Sequence, residues 1–134
     1  MKKYCSVIIF TAFAFLASCS KGESIEKIQE RAGKTAEAYY QLLLDGKYAD
    51  FVSGMDGGDS LPSSYREQMI ANAAMFVKLQ NDEHKGISAI EYSHCDADTA
   101  RHLAQAFLTL SFADGTKEVV SVPMVSRNGV WYMK

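Results

Sequence analysis

From Ile25 onward, apolar residues recur three or four positions apart: Ile25, Ile28, Ala32, Ala36, Tyr39 and Leu43. That spacing lines one face of an amphipathic helix. Ser24 offers a hydroxyl to the first amides, Glu26 suits the positive helix end, and Asp45-Gly46 supplies a stop. Lys47 to Val52 predicts a short second helix presenting Tyr48, Phe51 and Val52. Three glycines and two aspartates between Ser53 and Leu61 predict a loop. A third helix is expected near Pro62, with Ser64-x-x-Glu67 as a capping box. Its face is Met69, Ala73, Phe76 and Gln80, with Ile70 and Val77 beside them, and it ends by Gly86.

After Gly86 the period becomes two. Ile87 to His94 sets Ile90 and Tyr92 against Ser88 and Glu91, which predicts a half-buried strand. Cys95-Asp96-Ala97-Asp98 is expected to turn, and a long strand to run from Thr99 to Phe112. Ala104, Ala106, Leu108, Leu110 and Phe112 share its inner face. Asp114-Gly115 signals a hairpin into a strand over Glu118 to Ser126. Asn128-Gly129 then turns the chain into Val130-Trp131-Tyr132-Met133. Pro123 has no amide donor, so it is expected on an edge strand or at a bulge.

Helices long, short and long, followed by an antiparallel meander of four strands, predict an α+β domain over residues 25–134. The sheet is expected to curl over a helix, so that both apolar faces are buried.

The first 24 residues follow another pattern. Lys2 and Lys3 precede an uncharged apolar run from Val7 to Ala17, the n-region and h-region of an export signal. The run falls short of the ~20 apolar residues that a bilayer span needs. Leu16-Ala17-Ser18-Cys19 resembles the lipobox of bacterial lipoproteins, a leucine and two small residues before the cysteine whose thiol accepts a diacylglycerol. That resemblance implies a removed signal peptide over residues 1–18, acyl chains such as palmitate on Cys19, and a short tether over residues 19–24. It also implies an exported, membrane-anchored protein on the periplasmic face or the cell surface. Each buried methylene contributes about 0.8 kcal/mol, so two or three chains anchor firmly where one does not.

Such cleavage takes 18 of the 134 residues, enough remaining for one domain with a single core. Losing Lys2 and Lys3 takes Lys+Arg from 14 to 12 against 16 Asp+Glu, a formal −4. An acidic, unclustered balance argues against nucleic acid as a partner. With Cys5 removed and Cys19 acylated, Cys95 is left as the one thiol, so no internal disulfide is expected.

Two stretches carry a wider resemblance. The first is Ala36-Glu-Ala-Tyr39-Tyr40-Gln-Leu-Leu-Leu44-Asp-Gly46-Lys-Tyr48-Ala-Asp-Phe51, an aromatic helix, a glycine and a tyrosine-led second helix. The second is the last hairpin from Val119 to Lys134, where Asn128-Gly129-Val130-Trp131 has the form glycine, any residue, tryptophan. In both, the chain resembles small Gram-negative lipoproteins of nuclear transport factor 2-like (cystatin-like cone) fold. That resemblance implies a pocket between a curled sheet and the helices. Some members of the superfamily are isomerases, dehydratases or cyclases, and many only bind or assemble.

His94-Cys95-Asp96-Ala97-Asp98 with His102 has the atoms of a transition-metal site. Neighbouring strand side chains point to opposite faces, however, and Asp96 and Asp98 suit a turn, so no metal and no cofactor are expected. For proton transfer the candidates are His102, which shares parity with Ala104, and Tyr39 or Tyr40 on the first helix. Asp56 and Asp59 would overhang the mouth. Ala104 and Ala106 would leave room for a cavity unless Tyr39 or Phe76 fills it. Gly54 to Asp59 lacks the alternating carboxylates of a calcium loop. Leu103, Phe107 and Val125 fall on the outer sheet face, where an apolar patch would mark an interface.

The function expected is that of a lipid-anchored, non-catalytic module of the cell envelope, binding a small apolar ligand or a partner protein. The alternative is an isomerase- or hydratase-like envelope enzyme with acid/base residues in the cone.

Overall fold

The computed structural model describes residues 23–134. The leader, Cys19 and most of the expected tether lie outside the described residues. Helix α1 spans Ile25–Leu44, and the Ser24 hydroxyl accepts from the Lys27 amide at 3.3 Å, as its sequence predicts. Ala32, Gly33, Ala36 and Leu43 are its buried residues. Three of these four are small, which lets the helix axis lie close to the sheet.

Helix α2 spans Tyr48–Ser53 and buries Phe51 and Val52. A single 3-10 turn over Gly58–Ser60 interrupts the glycine-rich loop before α3, Ser63–His84. The Ser64/Glu67 capping box does not form. Pro62 occupies the cap position without a side-chain hydrogen bond, and Ser64 is already the second helical residue. Of α3, Ala73 alone is buried; Met69, Ile70, Phe76 and Val77 are packed at the core's margin.

The sheet is a meander in the order β1-β2-β3-β4, antiparallel throughout. Strand β1 runs Ile87–Asp98, so the tetrad expected to turn is strand. The register explains the difference. Tyr92 faces Leu108 and His94 faces Phe107, leaving Ser93 as the extra residue of a bulge. The bulge inverts parity, so Cys95 and Ala97 take over the inner face that Ile90 and Tyr92 began. Residues 99–102 make the turn instead, and β2 starts at Leu103 and ends at Phe112.

Strand β3 spans Lys117–Arg127 and β4 spans Val130–Met133. Asn128 and Gly129 have φ of 55° and 81°, a left-handed pair that closes a two-residue hairpin. Pro123 was expected on an edge strand or at a bulge, but it lies on an inner strand in an unbroken register with β2. Yet β4 pairs only with Met124 to Arg127, so no strand calls on a Pro123 amide. Its carbonyl accepts from the Lys134 amide at 2.9 Å.

The inner wall of Ala104, Ala106, Leu108, Leu110, Val122 and Met124 is buried to 7% exposure or less. α1 covers it, and no polar or charged side chain among the described residues is buried. The same helix secures both margins of the sheet. On β1, Gln29 Nε2 donates to the Cys95 carbonyl at 2.6 Å, and Glu37 Oε2 accepts from the Tyr92 amide at 2.8 Å. On β4, Tyr39 Oη donates to the Trp131 carbonyl at 2.8 Å. Edge groups that would otherwise recruit another strand are thereby occupied. On the outer face Val125 pairs with Leu103 and Tyr132 and is itself buried, so the patch expected there is partly self-covered.

Candidate functional site

One concave surface lies where the glycine-rich loop meets the last hairpin. Several contacts fix that loop. The Asp56 amide donates to the Met133 carbonyl at 2.7 Å, and the Met133 amide to the Gly54 carbonyl at 2.9 Å. Met55 thus forms a parallel bridge with Met133 and extends the sheet by one residue. The Tyr39 ring packs where a side chain on Gly54 would stand. From α3, Arg66 donates to the Gly58 carbonyl at 3.0 Å, the Ala49 carbonyl at 3.2 Å and the Ser53 hydroxyl at 2.9 Å.

On this scaffold Asp56 meets Arg127 in a bidentate pair, Arg127 Nε to Oδ1 at 2.6 Å and Nη2 to Oδ2 at 2.7 Å. The hydrogen bond from Arg127, more than its charge, holds the Asp56 carboxyl below its ordinary range. A cleft of about 370 Å³ opens beside the pair, bordered by Ser53, Asp59, Asn128, Val130 and Tyr132. Arg127 also walls a second depression of about 520 Å³, shared with His102, Ser126, Asn128 and Gly129. A third, about 220 Å³, lies between Ile28 and Arg31 of α1 and Thr99, His102, Ser126 and Trp131. The apolar space between the helices, bounded by Tyr40, Leu43, Phe51, Ala73 and Phe76, is about 80 Å³.

No protein-family model matches the chain, and no curated protein does. Among solved structures the chain is similar to a candidate NTF2-like transpeptidase from Campylobacter jejuni. The TM-score is 0.53 at 15% sequence identity, over 73% of this chain and 92% of that one. The fold is NTF2-like.

The NTF2-like cone brings Asp56 and Asp59 to one cleft and leaves His102, Tyr39 and Tyr40 out of it. His102 was expected to share strand parity with Ala104. It is instead an exposed turn residue at φ 59°, because β2 begins one residue later. Asp56 is engaged by Arg127, and Asp59 projects into solvent with 85% of its side chain exposed. Tyr39 spends its hydroxyl on Trp131, and burial pushes its pKa up. Tyr40 stacks edge-on against Phe51 with ring centroids 5.6 Å apart, and burial raises its pKa too.

Cys95 points inward and burial raises its thiol pKa, whereas His94 points outward, stacks on Phe107 and meets Asp96 at 2.9 Å. His94 and Cys95 therefore face opposite ways, as the strand geometry predicts. Among the described residues no group of three or more His, Cys, Asp or Glu converges as a metal site would require. Sequence reasoning missed Arg66 and Arg127. Arg127 had a signal, a cation directly before the Asn-Gly turn and so held at the rim. Arg66 had none, being one arginine in the first turn of a helix.

Proposed function

We propose that this protein is a lipid-anchored, non-catalytic module of the cell envelope, and that it recognises a partner at the rim cleft beside Asp56 and Arg127. The observation that carries the non-catalytic reading is the filled cone. Ala104, Ala106 and Leu108 are covered by α1, and Cys95 is the one titratable side chain buried among the described residues. General acid/base chemistry needs two such groups within hydrogen-bond reach in one cleft. The isomerase or hydratase alternative would have to rest on Asp56, whose oxygens already accept from Arg127.

A small apolar ligand is disfavoured on size. The space between the helices, about 80 Å³, and the largely apolar depression beside Ile28 and Trp131, about 220 Å³, are both below the ~300–1,000 Å³ of ligand pockets. The rim cleft is larger and mixed in lining, with Asp56, Asp59, Arg127 and Asn128 beside Met55, Val130 and Tyr132, which suits a partner's side chain that combines a hydrogen-bonding group with apolar contact. The transpeptidase description of the Campylobacter jejuni protein is a third reading. For a thiol nucleophile it would have to use Cys95, which is 2% exposed and whose burial keeps it protonated.

Anchoring rests on the lipobox resemblance at Leu16-Ala17-Ser18-Cys19. Among the described residues no helix is long and apolar enough to cross a membrane. Intact mass of membrane-extracted protein, beside a Cys19→Ala variant, tests it. The expected result is an N-terminus at residue 19 carrying acyl chains in the wild type and a soluble, unacylated variant. Native mass spectrometry of the anchored protein tests the cleft. A bound partner should disappear from an Asp56→Asn/Arg127→Met variant, and its retention there would overturn the assignment.

A further inference from the structure

We infer that one end of the domain, formed by the first turn of α1 with the β1–β2 and β3–β4 turns, rests on the bilayer and seats lipid headgroup phosphates. This rests on the lipid-anchor reading. Five residue steps separate Cys19 from Ser24, and at ~3.5 Å per step they reach at most about 17 Å. The 20 residues of α1 extend about 30 Å beyond that point. The end where α1 begins is therefore held within reach of the lipid surface, and an upright domain keeps its far end clear of it.

Three features of that end suit a membrane surface. First, Ile25 and Val130, the opening residues of α1 and β4, are 42% and 47% exposed, in reach of the headgroup boundary where apolar side chains gain burial. Second, the depression between α1 and the two turns has Ile28 and Trp131 in its lining and Thr99, His102 and Ser126 as donors around them. Third, the cations here face acids: Arg31 with Glu23 at 2.6 Å, Arg101 with Asp98 at 3.9 Å, and Arg127 with Asp56. Each of these pairs is formally neutral, so the pairs themselves turn no net charge toward an anionic bilayer.

The test is hydrogen exchange on the acylated protein reconstituted in phosphatidylethanolamine–phosphatidylglycerol vesicles, compared with the Cys19→Ala protein mixed with the same vesicles. Amides of residues 99–102 and 127–130 should exchange several-fold more slowly in the anchored protein, and those of residues 113–116 in the far hairpin should not change. An acylated Ile25→Glu/Val130→Glu variant should stay on the vesicles and lose that protection. Both positions are exposed, so the substitutions spare the core. Inorganic phosphate added to the Cys19→Ala protein should give no such protection. Protection from phosphate alone would make the depression a free-anion site and overturn the bilayer assignment. Unchanged turns, or equal protection at 113–116, would overturn this inference alone, whereas an unacylated Cys19 would overturn the anchor reading as well.

Discussion

The ring of Tyr92 on β1 lies against the backbone of Gly33 on α1, so close that a Cβ at Gly33 would stand within 2.5 Å of the ring's Cδ1. Replacing a mid-helix glycine by alanine ordinarily stabilises by about 1 kcal/mol. Here the sign should reverse. Gly33→Ala forces the ring or the helix to shift, an overpacking cost of about 1–3 kcal/mol. Urea unfolding should show a lowered midpoint, and a Gly33→Ala/Tyr92→Ala double variant should be destabilised by less than the two single changes added together.

The Tyr39 hydroxyl serves the β4 margin, not proton transfer. Tyr39→Phe should lower stability by about 1 kcal/mol, the ordinary worth of one hydrogen bond. Exchange at the amides of Val130 to Met133 should quicken. A tyrosine acting as an acid would instead leave the exchange of β4 unmoved.

Asp56 and Arg127 form an exposed pair, for which a contribution near zero to 1 kcal/mol is usual. Asp56→Asn is therefore expected to leave thermal unfolding nearly unchanged while weakening partner capture at the cleft. Large destabilisation would recast the pair as a strut for the glycine-rich loop.

Asp114 carries the clearest pH dependence. Hydrogen bonds from the Thr116 side chain and amide, and then the His84 ring, lower its pKa to about 2. A carboxyl depressed in the folded state stabilises above its unfolded pKa, about 3.9, and loses that contribution as pH falls toward 2. Acid titration of stability should fall between pH 4 and 2, and Asp114→Asn should flatten that limb. The same variant should loosen the C-terminus of α3, whose His84 meets Asp114 at 3.0 Å.

Much of the architecture was legible because each element carried its own period and punctuation. The α1 face, the Ser24 cap and the Asp114-Gly115 and Asn128-Gly129 hairpins follow from local chemistry alone. The end of strand β1 is hidden from the sequence because alternation cannot announce a bulge. One inserted residue at Ser93 moves Cys95 and Ala97 indoors, while Asp96 and Asp98 have the composition of a turn. The hidden bulge displaces the expected start of β2 by four residues and with it the expected aspect of His102.

The rim cleft was less legible. Asp56 and Asp59 were visible as loop residues, but Arg127 reaches Asp56 across 71 positions of sequence, and no local rule pairs two side chains so far apart. Arg66 was hidden for the same reason, since its three acceptors belong to the α2 segment and the loop after it.

Gln29 and Glu37 grip one selvedge of the sheet and Tyr39 the other, so α1 acts as a tie-bar across an arched strip. Such an arch cannot relax by peeling from one side. Release of the bar would flatten the strip and bare both borders together, and partial opening from either border is therefore suppressed. The domain should breathe as a single piece, with sub-global opening events rare and the slowest amides spread over β1 to β4 in place of a cluster in one hairpin.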